Sequence, residues 1–283
     1  MSFSAEWLAL REPFDAGARS AKVRDAALTA VADLDPVAIV DLACGTGSTL
    51  RALAPLLPAR QTWRLVDNDL SLLARAADSA RPPRAQATAT PVDLAHDLEA
   101  ALDGAVDLVT TAALLDLVSE PWLERLAIEC AARRLPLYAA LSYDGRIAFA
   151  PEDAVDAAIV AAVNAHQHGD KGFGPALGPQ AAAAAIDRFE ALGYAVTRDT
   201  ADWMIGPADR AMQEEFLAGC AGAARDFGAP LVEEIAAWLT RRHGHLASGR
   251  ASIRVGHTDF FALPSAMRRA ERSQSNSTSP SRR

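Results

Sequence analysis

Between residues 37 and 145, short apolar runs typical of buried strands alternate with segments typical of helices. The first run, "VAIVDLA", is rich in β-branched residues. Strands are predicted at 37–43, 62–67, 84–94, 105–111 and 135–145, and helices at 48–57, 70–80 and 120–134. Strands that alternate with helices join through right-handed crossovers. The sequence therefore predicts a doubly wound α/β fold, with helices on both faces of a mostly parallel sheet.

The alternation loosens outside this region. Residues 5–32 are predicted to be helical and to precede the first strand. After residue 150, helices are predicted at 151–166, 180–194, 207–226 and 229–243, and strands at 195–200 and 251–264. The sheet is thus expected to have seven strands, with helical insertions and a late antiparallel strand.

The loop after the first strand reads "DLACGTG" and is followed by a predicted helix. A phosphate-binding P-loop needs a lysine after its last glycine, and none stands near. A dinucleotide fingerprint needs a third glycine where Leu50 stands. A third interpretation is a loop for S-adenosylmethionine (SAM), with an acidic residue followed by small residues at alternate positions. Asp41, Ala43, Gly45 and Gly47 have that spacing.

This pattern resembles the first motif of the class I SAM-dependent methyltransferases, with Ala43 in the place of the first glycine. The resemblance spans roughly residues 37–145 and implies a Rossmann-like fold. SAM carries no pyrophosphate, so it needs neither the P-loop lysine nor the third glycine. Small residues allow a close approach of the backbone, and amides that open a helix can face the methionyl carboxylate. The resemblance places Asp41, Ala43, Cys44, Gly45, Thr46 and Gly47 at the cofactor.

Acidic residues at the ends of the next two strands extend the resemblance. Asp67, followed by Asn68, stands about twenty residues beyond the glycines, where a carboxylate can accept hydrogen bonds from both ribose hydroxyls. Asp93 and Leu94 match the family positions that contact the adenine amino group and ring. Thr110, Thr111 and Ala112, at the end of the fourth strand, are expected beside the sulfonium.

Motifs of several methyltransferase subclasses are missing from the sequence. The stretch "TTAALLDL" lacks the Asn/Asp-Pro-Pro-aromatic motif of enzymes that methylate amino groups of DNA bases. Neither a paired-glutamate loop of the arginine methyltransferase type nor a magnesium-binding carboxylate triad of the catechol type is visible. Asp116, in the same stretch, could orient an acceptor or act only as a cap or ion-pair partner.

The acceptor is expected outside the carboxyl ends of the fourth and fifth strands. Tyr143 lies there, and so does the long loop 166–179. His166 or His168 could supply a base, and Lys171 a cation for an acidic acceptor; a plain surface loop is the alternative. The histidines lack a matching carboxylate or cysteine pattern, so no metal site is predicted.

The resemblance to small-molecule methyltransferases, in which helices before the first strand often fold over SAM, implies that the amino-terminal segment 1–34 forms a helical lid. Arg11, Asp15 and Arg19 follow a four-residue spacing that places them on one helical face. Arg19 could pair with the methionyl carboxylate, or the three could form surface ion pairs only.

Composition narrows the choice of partners. The formal net charge of −8 disfavours nucleic acid. No stretch of about eighteen uncharged apolar residues indicates a membrane span. Three widely spaced cysteines indicate a reducing, cytoplasmic location. Residues 267–283 are rich in Ser and Arg and are expected to be a disordered tail.

The sequence thus predicts one methyltransferase domain over residues 1–266, with a SAM-binding core at 35–145 and substrate-side helices and final strands at 146–266. A small-molecule acceptor would take the methyl group by in-line displacement. A SAM-binding module without catalysis, or an NAD(P)-linked oxidoreductase, are the alternatives. The acceptor, the atom methylated and the oligomeric state are left open.

Overall fold

A computed structural model describes residues 3–57, 60–79, 85–228 and 230–265. Its strands are β1 Val37–Leu42, β2 Gln61–Asp67, β3 Ala85–Pro91, β4 Leu108–Ala112, β5 Leu137–Ala150, β6 Tyr194–Thr200, β7 Trp203–Ile205 and β8 Ser252–Pro264. They form one sheet of order β3-β2-β1-β4-β5-β8-β6, with β7 also paired to β8. Neighbours from β3 to β5 run parallel, whereas β8 runs antiparallel to β5, β6 and β7. The predicted α/β fold with a late antiparallel strand is confirmed.

The helices cover the sheet and fill the insertions. They are α1 Ala5–Ala18, α2 Ala21–Ala30, α3 Ser48–Leu53, α4 Leu70–Ser79, α5 Leu98–Ala101, α6 Glu120–Arg133, α7 Asp156–Gln167, α8 Ala181–Ala191, α9 Arg210–Phe227 and α10 Val232–Ala247. Short 3₁₀ turns lie at Ala54–Leu56, Leu115–Leu117 and Gly178–Gln180.

The sheet is buried on both faces because alternate residues of each strand enter different cores. Val40 and Leu42 of β1 pack with α5, α6 and α8, whereas Val37 and Ile39 pack with α2, α3 and α4. Successive side chains of a strand point to opposite faces, so a strand covered on both sides has to be apolar throughout. A third core joins β7 and the adjoining ends of β5 and β8 to α7, α9 and α10.

The structure differs from the prediction in three local features. The described residues form eight strands rather than seven, because Trp203–Ile205 makes a three-residue strand too short to leave a periodic signal. The predicted helix 5–32 is two helices: Ser20 accepts the N–H of Val23 and donates its own N–H to Asp259 at 2.9 Å, which begins α2 on a new axis. Helix α5 was not predicted. The predicted tail 267–283 lies outside the described residues.

The order of the sheet determines where a ligand can bind. Strand β1 leads through α3 to β2 on one side, and its other neighbour is β4. The connection from β1 to β2 and the connection from β4 to β5 therefore run in opposite directions along the sheet. A crevice opens between them, outside the carboxyl ends of β1 and β4. The glycine loop follows β1 directly, and the turn that carries Asp116 follows β4.

Candidate functional site

The glycine loop joins β1 to α3 through three residues with positive φ at alternate positions. They are Ala43 (φ 53°), Gly45 (φ 53°) and Gly47 (φ 84°). Glycine adopts this conformation without penalty, whereas alanine pays roughly 1 kcal/mol. The Cys44 N–H donates to the Val66 carbonyl at 2.9 Å, and the Gly47 N–H donates to the Cys44 carbonyl at 2.8 Å. The loop is thus a compact turn tied to β2.

Asp67 at the end of β2 is held by two backbone amides. Its Oδ2 accepts the N–H of Gly45 at 2.9 Å, and its Oδ1 accepts the N–H of Asp69 at 3.0 Å. Each carboxylate oxygen can accept a further bond. The carboxylate therefore has a fixed orientation at the cavity wall, with capacity left for a pair of hydroxyl donors. Asn68 lines the same wall.

Asp93 and Leu94, which follow β3, also line this cavity. Asp93 accepts hydrogen bonds from His96 Nδ1 at 2.8 Å and from the N–H of Ala95 at 3.1 Å. These bonds, with that from His96 the larger effect, lower the pKa of Asp93. Leu94 is buried and presents an apolar surface beside it.

The cavity enclosed by these residues has a volume of about 200 Å³. Helix α1 and the residues before it form one wall through Phe3, Leu8 and Arg11. A Cβ atom placed on Gly45 would lie only 3.3 Å from Leu8 Cδ1, so α1 packs closely on the glycine loop. We call this the loop cavity.

Five predicted cofactor residues do not line the loop cavity: Arg19, Asp41, Gly47, Thr110 and Thr111. The Thr110 hydroxyl donates to Asp41 Oδ1 at 2.8 Å, and the Thr111 hydroxyl donates to the Leu42 carbonyl at 3.0 Å. Both threonines lie inside β4, so their side chains join it to β1. Burial raises the pKa of Asp41 to about 7.

Arg19 is buried behind the glycine loop. It donates to the Thr49 hydroxyl at 3.3 Å and lies beside the Tyr138 hydroxyl. Of the predicted helical face, Arg11 and Asp15 form a two-bond ion pair, at 3.0 and 3.1 Å. Arg19 lies past the last residue of α1, which is why it leaves that face.

Several residues that line the loop cavity were not singled out from the sequence. Ala113 and Leu114 follow Ala112, the last residue of β4, which was expected at this rim and does line the cavity. Phe173 reaches the cavity from a distant part of the chain. The end of β4 could have been predicted by aligning this strand with its neighbour β1. Contacts between distant parts of the chain leave no local signal in the sequence.

A second cavity of about 600 Å³ adjoins the first. Phe3, Arg11, Ala113, Leu117 and Lys171 line both. We call it the aromatic cavity, because large apolar side chains form much of its wall, among them Trp7, Tyr143, Trp203 and Phe216. Its volume is within the range of small-molecule sites.

Two buried titratable groups of the aromatic cavity have unpaired atoms. Asp116 is 6% exposed, and its Oδ1 has no hydrogen-bond partner among the described residues. Burial raises the pKa of Asp116 to about 6. His257 is 4% exposed, its Nδ1 is likewise unpaired, and burial lowers its pKa to about 3. The Tyr143 hydroxyl donates to Asn164 Oδ1 at 2.6 Å, and burial raises its pKa.

The predicted loop residues separate in the structure. His166 lines the aromatic cavity, and its Nε2 lies 3.7 Å from Asp226 Oδ2. Burial is the main cause that lowers the pKa of His166. Lys171 lines both cavities and donates to the His166 carbonyl at 3.2 Å. His168 Nδ1 lies 3.1 Å from the Ala176 carbonyl and lines neither cavity.

Within the described part of the chain, no three His, Cys, Asp or Glu residues are grouped so that they could hold a metal ion. Among the helices of the same residues, none has the length and apolar character needed to cross a membrane.

Residues 39–135 match the family model described as a methyltransferase domain. No curated protein matches the chain by sequence. Similar solved structures include the cyclopropane synthase MmaA2 from Mycobacterium tuberculosis, with 13% identity, TM-score 0.48 and coverage of 92% of this chain and 94% of that one. Another is the YcgJ protein from Bacillus subtilis, with 12% identity, TM-score 0.46 and coverage of 85% and 97%. At such TM-scores, neither likeness bears on the function of this chain.

The family match begins within β1 and ends just before β5, so it contains the glycine loop, Asp67 and Asp93. These are the residues around which the loop cavity is built. Residues 39–135 thus match a methyltransferase domain, and the match contains the part of the chain that forms the loop cavity.

Proposed function

We propose that the protein transfers a methyl group from SAM to a small-molecule acceptor that binds in the aromatic cavity. The observation that carries the proposal is the shared wall of the two cavities. Arg11, Ala113 and Leu117 line both, so ligands in the two cavities would meet there. The family match supports SAM in the loop cavity. The size and aromatic lining of the second cavity support a small organic acceptor.

The residues of the loop cavity fit an adenosyl ligand. Asp67, fixed by two amides, supplies acceptors for the ribose hydroxyls. Leu72 and Leu94 supply buried apolar surface, and Asp93 supplies an acceptor beside it. Gly45 has no side chain of its own, so its backbone would be accessible to a ligand once Leu8 of α1 moves away from it. When bound, SAM supplies a methyl carbon made electrophilic by the neighbouring sulfonium.

Helix α1 acts as a lid in this proposal. The loop cavity, at about 200 Å³, is smaller than the usual range of roughly 300–1,000 Å³ for ligand sites. Leu8 and Phe3 therefore have to shift when the cofactor enters. Glu12 of α1 accepts from Arg51 Nε of α3 at 2.5 Å, and Arg51 also donates to the Thr46 carbonyl. This ion pair would return α1 over the glycine loop and exclude water from the reaction.

Rate acceleration then depends on alignment. A methyl transfer by displacement needs the acceptor atom, the methyl carbon and the sulfur in one line, and holding reactants in such a geometry can supply most of the catalysis. Trp7, Trp203 and Phe216 would hold the body of the acceptor, while the shared wall would direct its reactive atom towards the loop cavity. The three cysteines are free, in keeping with a cytoplasmic enzyme.

Calorimetric titration with SAM, S-adenosylhomocysteine and NADH tests the cofactor. We expect both adenosyl ligands to bind in the micromolar range and NADH to bind far more weakly. Transfer of a labelled methyl group to small-molecule acceptors then tests catalysis. A preference for NADH would contradict the proposal in favour of an oxidoreductase, and SAM binding without transfer to any acceptor would favour a non-catalytic module.

A further inference from the structure

Asp116 is a buried carboxylate of the aromatic cavity with an unpaired oxygen. It lies in the 3₁₀ turn Leu115–Leu117, next to Leu117 of the shared wall. Its carboxyl group faces the backbone amides of Asp116 itself and of Tyr143, yet Oδ1 has no partner among the described residues. An unpaired buried acceptor costs free energy, more so when it is charged. A ligand that donates a hydrogen bond to Oδ1 would remove that cost.

A second unpaired atom lies close by in the sheet. His257 of β8 pairs with Tyr143 of β5 in the strand register, and the amide of Tyr143 faces the Asp116 carboxyl group. Asp116 and His257 therefore border the same end of the cavity. The remaining wall is largely apolar, with Trp203 packed on the His257 ring at 4.8 Å between centroids. This distribution fits an acceptor with an apolar body and one polar end.

The charges at the shared wall indicate whether the group that donates a hydrogen bond to Asp116 is an amine or a hydroxyl. The guanidinium of Arg11 and the ammonium of Lys171 line both cavities. Arg11, which is paired with Asp15, acts electrostatically on the Asp116 carboxyl group, whereas Glu215 and Asp226 line the cavity from α9. A cationic amine at Asp116 would be repelled by Arg11, and a hydroxyl that becomes an oxyanion there would be stabilised by it. We propose that Asp116 binds a weakly acidic hydroxyl of the acceptor, of the phenol type, and accepts its proton as the oxygen is methylated.

The step balances. The acceptor oxygen forms a bond to the methyl carbon, the bond between that carbon and the sulfonium sulfur breaks, and the hydroxyl proton passes to Asp116 Oδ1. The products are a methyl ether, S-adenosylhomocysteine and a protonated carboxyl group, which returns its proton to solvent. Since Asp116 is the group that touches the hydroxyl, it is the catalytic base in this proposal, which rests on the proposed methyl transfer.

The surroundings of Asp116 fit a base that works near neutral pH. Burial raises its pKa to about 6, and the positive field of Arg11 opposes the rise. The other charged and titratable groups that line the aromatic cavity are Arg11, Tyr143, His166, Lys171, Glu215, Cys220, Asp226 and His257. His257 is uncharged at neutral pH, because burial lowers its pKa to about 3. Activity should therefore rise with pH through about 6.

A binding experiment tests the hydrogen bond without turnover. The protein saturated with S-adenosylhomocysteine is titrated at pH 6.5 with para-nitrophenol, followed by absorbance, and with the cationic para-nitrobenzylamine. We expect the phenol to bind at least about tenfold more tightly than the amine. We expect Asp116→Asn to weaken the binding of the phenol by about tenfold, because a hydrogen bond to a charged acceptor is replaced by a hydrogen bond to a neutral acceptor. The exposed Asp187→Asn makes the same change of charge on α8 and serves as the control.

A transfer experiment tests the base. Labelled methyl transfer from SAM is measured with phenol, para-nitrophenol, naphthol and para-nitrobenzylamine. Asp116→Asn should lower kcat with the phenols by roughly 100-fold or more and remove the rise in rate near pH 6, with SAM affinity unchanged within about twofold. Preferential transfer to the amine, no transfer to any phenol by a protein that binds SAM, or an unchanged kcat in the variant would overturn the inference. Failure to bind SAM would instead overturn the proposed function.

Discussion

Asp67 offers a direct test of the cofactor site. Its two carboxylate oxygens accept the amides of Gly45 and Asp69 at 2.9 and 3.0 Å, and each would accept one ribose hydroxyl. A hydrogen bond to a charged acceptor contributes about 1.5 kcal/mol or more. Losing two in Asp67→Ala should therefore cost about 3 kcal/mol, which weakens SAM binding by roughly 150-fold.

Asp67→Asn sharpens the test, because the amide oxygen of asparagine keeps one acceptor and its NH₂ group cannot replace the other. We expect a loss of roughly tenfold from this variant, between the wild type and Asp67→Ala. Calorimetric titration with SAM and S-adenosylhomocysteine measures both. The exposed Asp187→Asn should bind normally, and the melting temperature of each variant verifies folding. If Asp67→Ala binds SAM within about threefold of the wild type, the carboxylate does not hold the ribose and our reasoning is refuted.

Three further predictions concern the loop, the lid and pH. Ala43→Gly should raise thermal stability by about 0.5 kcal/mol, because glycine avoids the left-handed penalty but loses more entropy on folding; a lower melting temperature would contradict this. Glu12→Gln should speed dissociation of SAM up to about fivefold in stopped flow, since a partly exposed ion pair contributes less than about 1 kcal/mol. Burial raises the pKa of Asp41 to about 7, so its ionisation destabilises the fold progressively as pH rises from about 4 to 7. Asp41→Asn should consequently gain more stability at pH 8 than at pH 5, and an equal effect at both would argue against the raised pKa.

The parallel half of the fold was predictable because its signals are local. Val37, Ile39 and Val40 form a run that is buried on both faces, and such runs occur in the centre of parallel sheets. By contrast, β7 consists of three residues and depends on pairing with β8 from a distant part of the chain. The break between α1 and α2 likewise depends on Asp259, which accepts the Ser20 amide across 239 residues.

The sites divide in the same way. Asp67 and Asp93 were recognisable because Asp67 ends β2 and Asp93 follows β3, and parallel strands bring such ends together at one edge. Thr110 and Thr111 have the expected position along the chain. Their side chains do not line the loop cavity, however, because both hydroxyls donate hydrogen bonds to atoms of β1. A one-residue difference in where the strand ends decides which side chains line a cavity.

By itself, the sequence determined the order of strands and helices in the core, the left-handed glycine loop and the acidic residues after β2 and β3, because backbone sterics and hydrophobic periodicity act over a few residues. Only the tertiary structure decided that Arg11 and Lys171 lie at a wall shared by two cavities, and that Asp116 keeps an unpaired oxygen beside His257. The residues that bury these positions and set their charge environment are far apart in the sequence, so no local pattern encodes them.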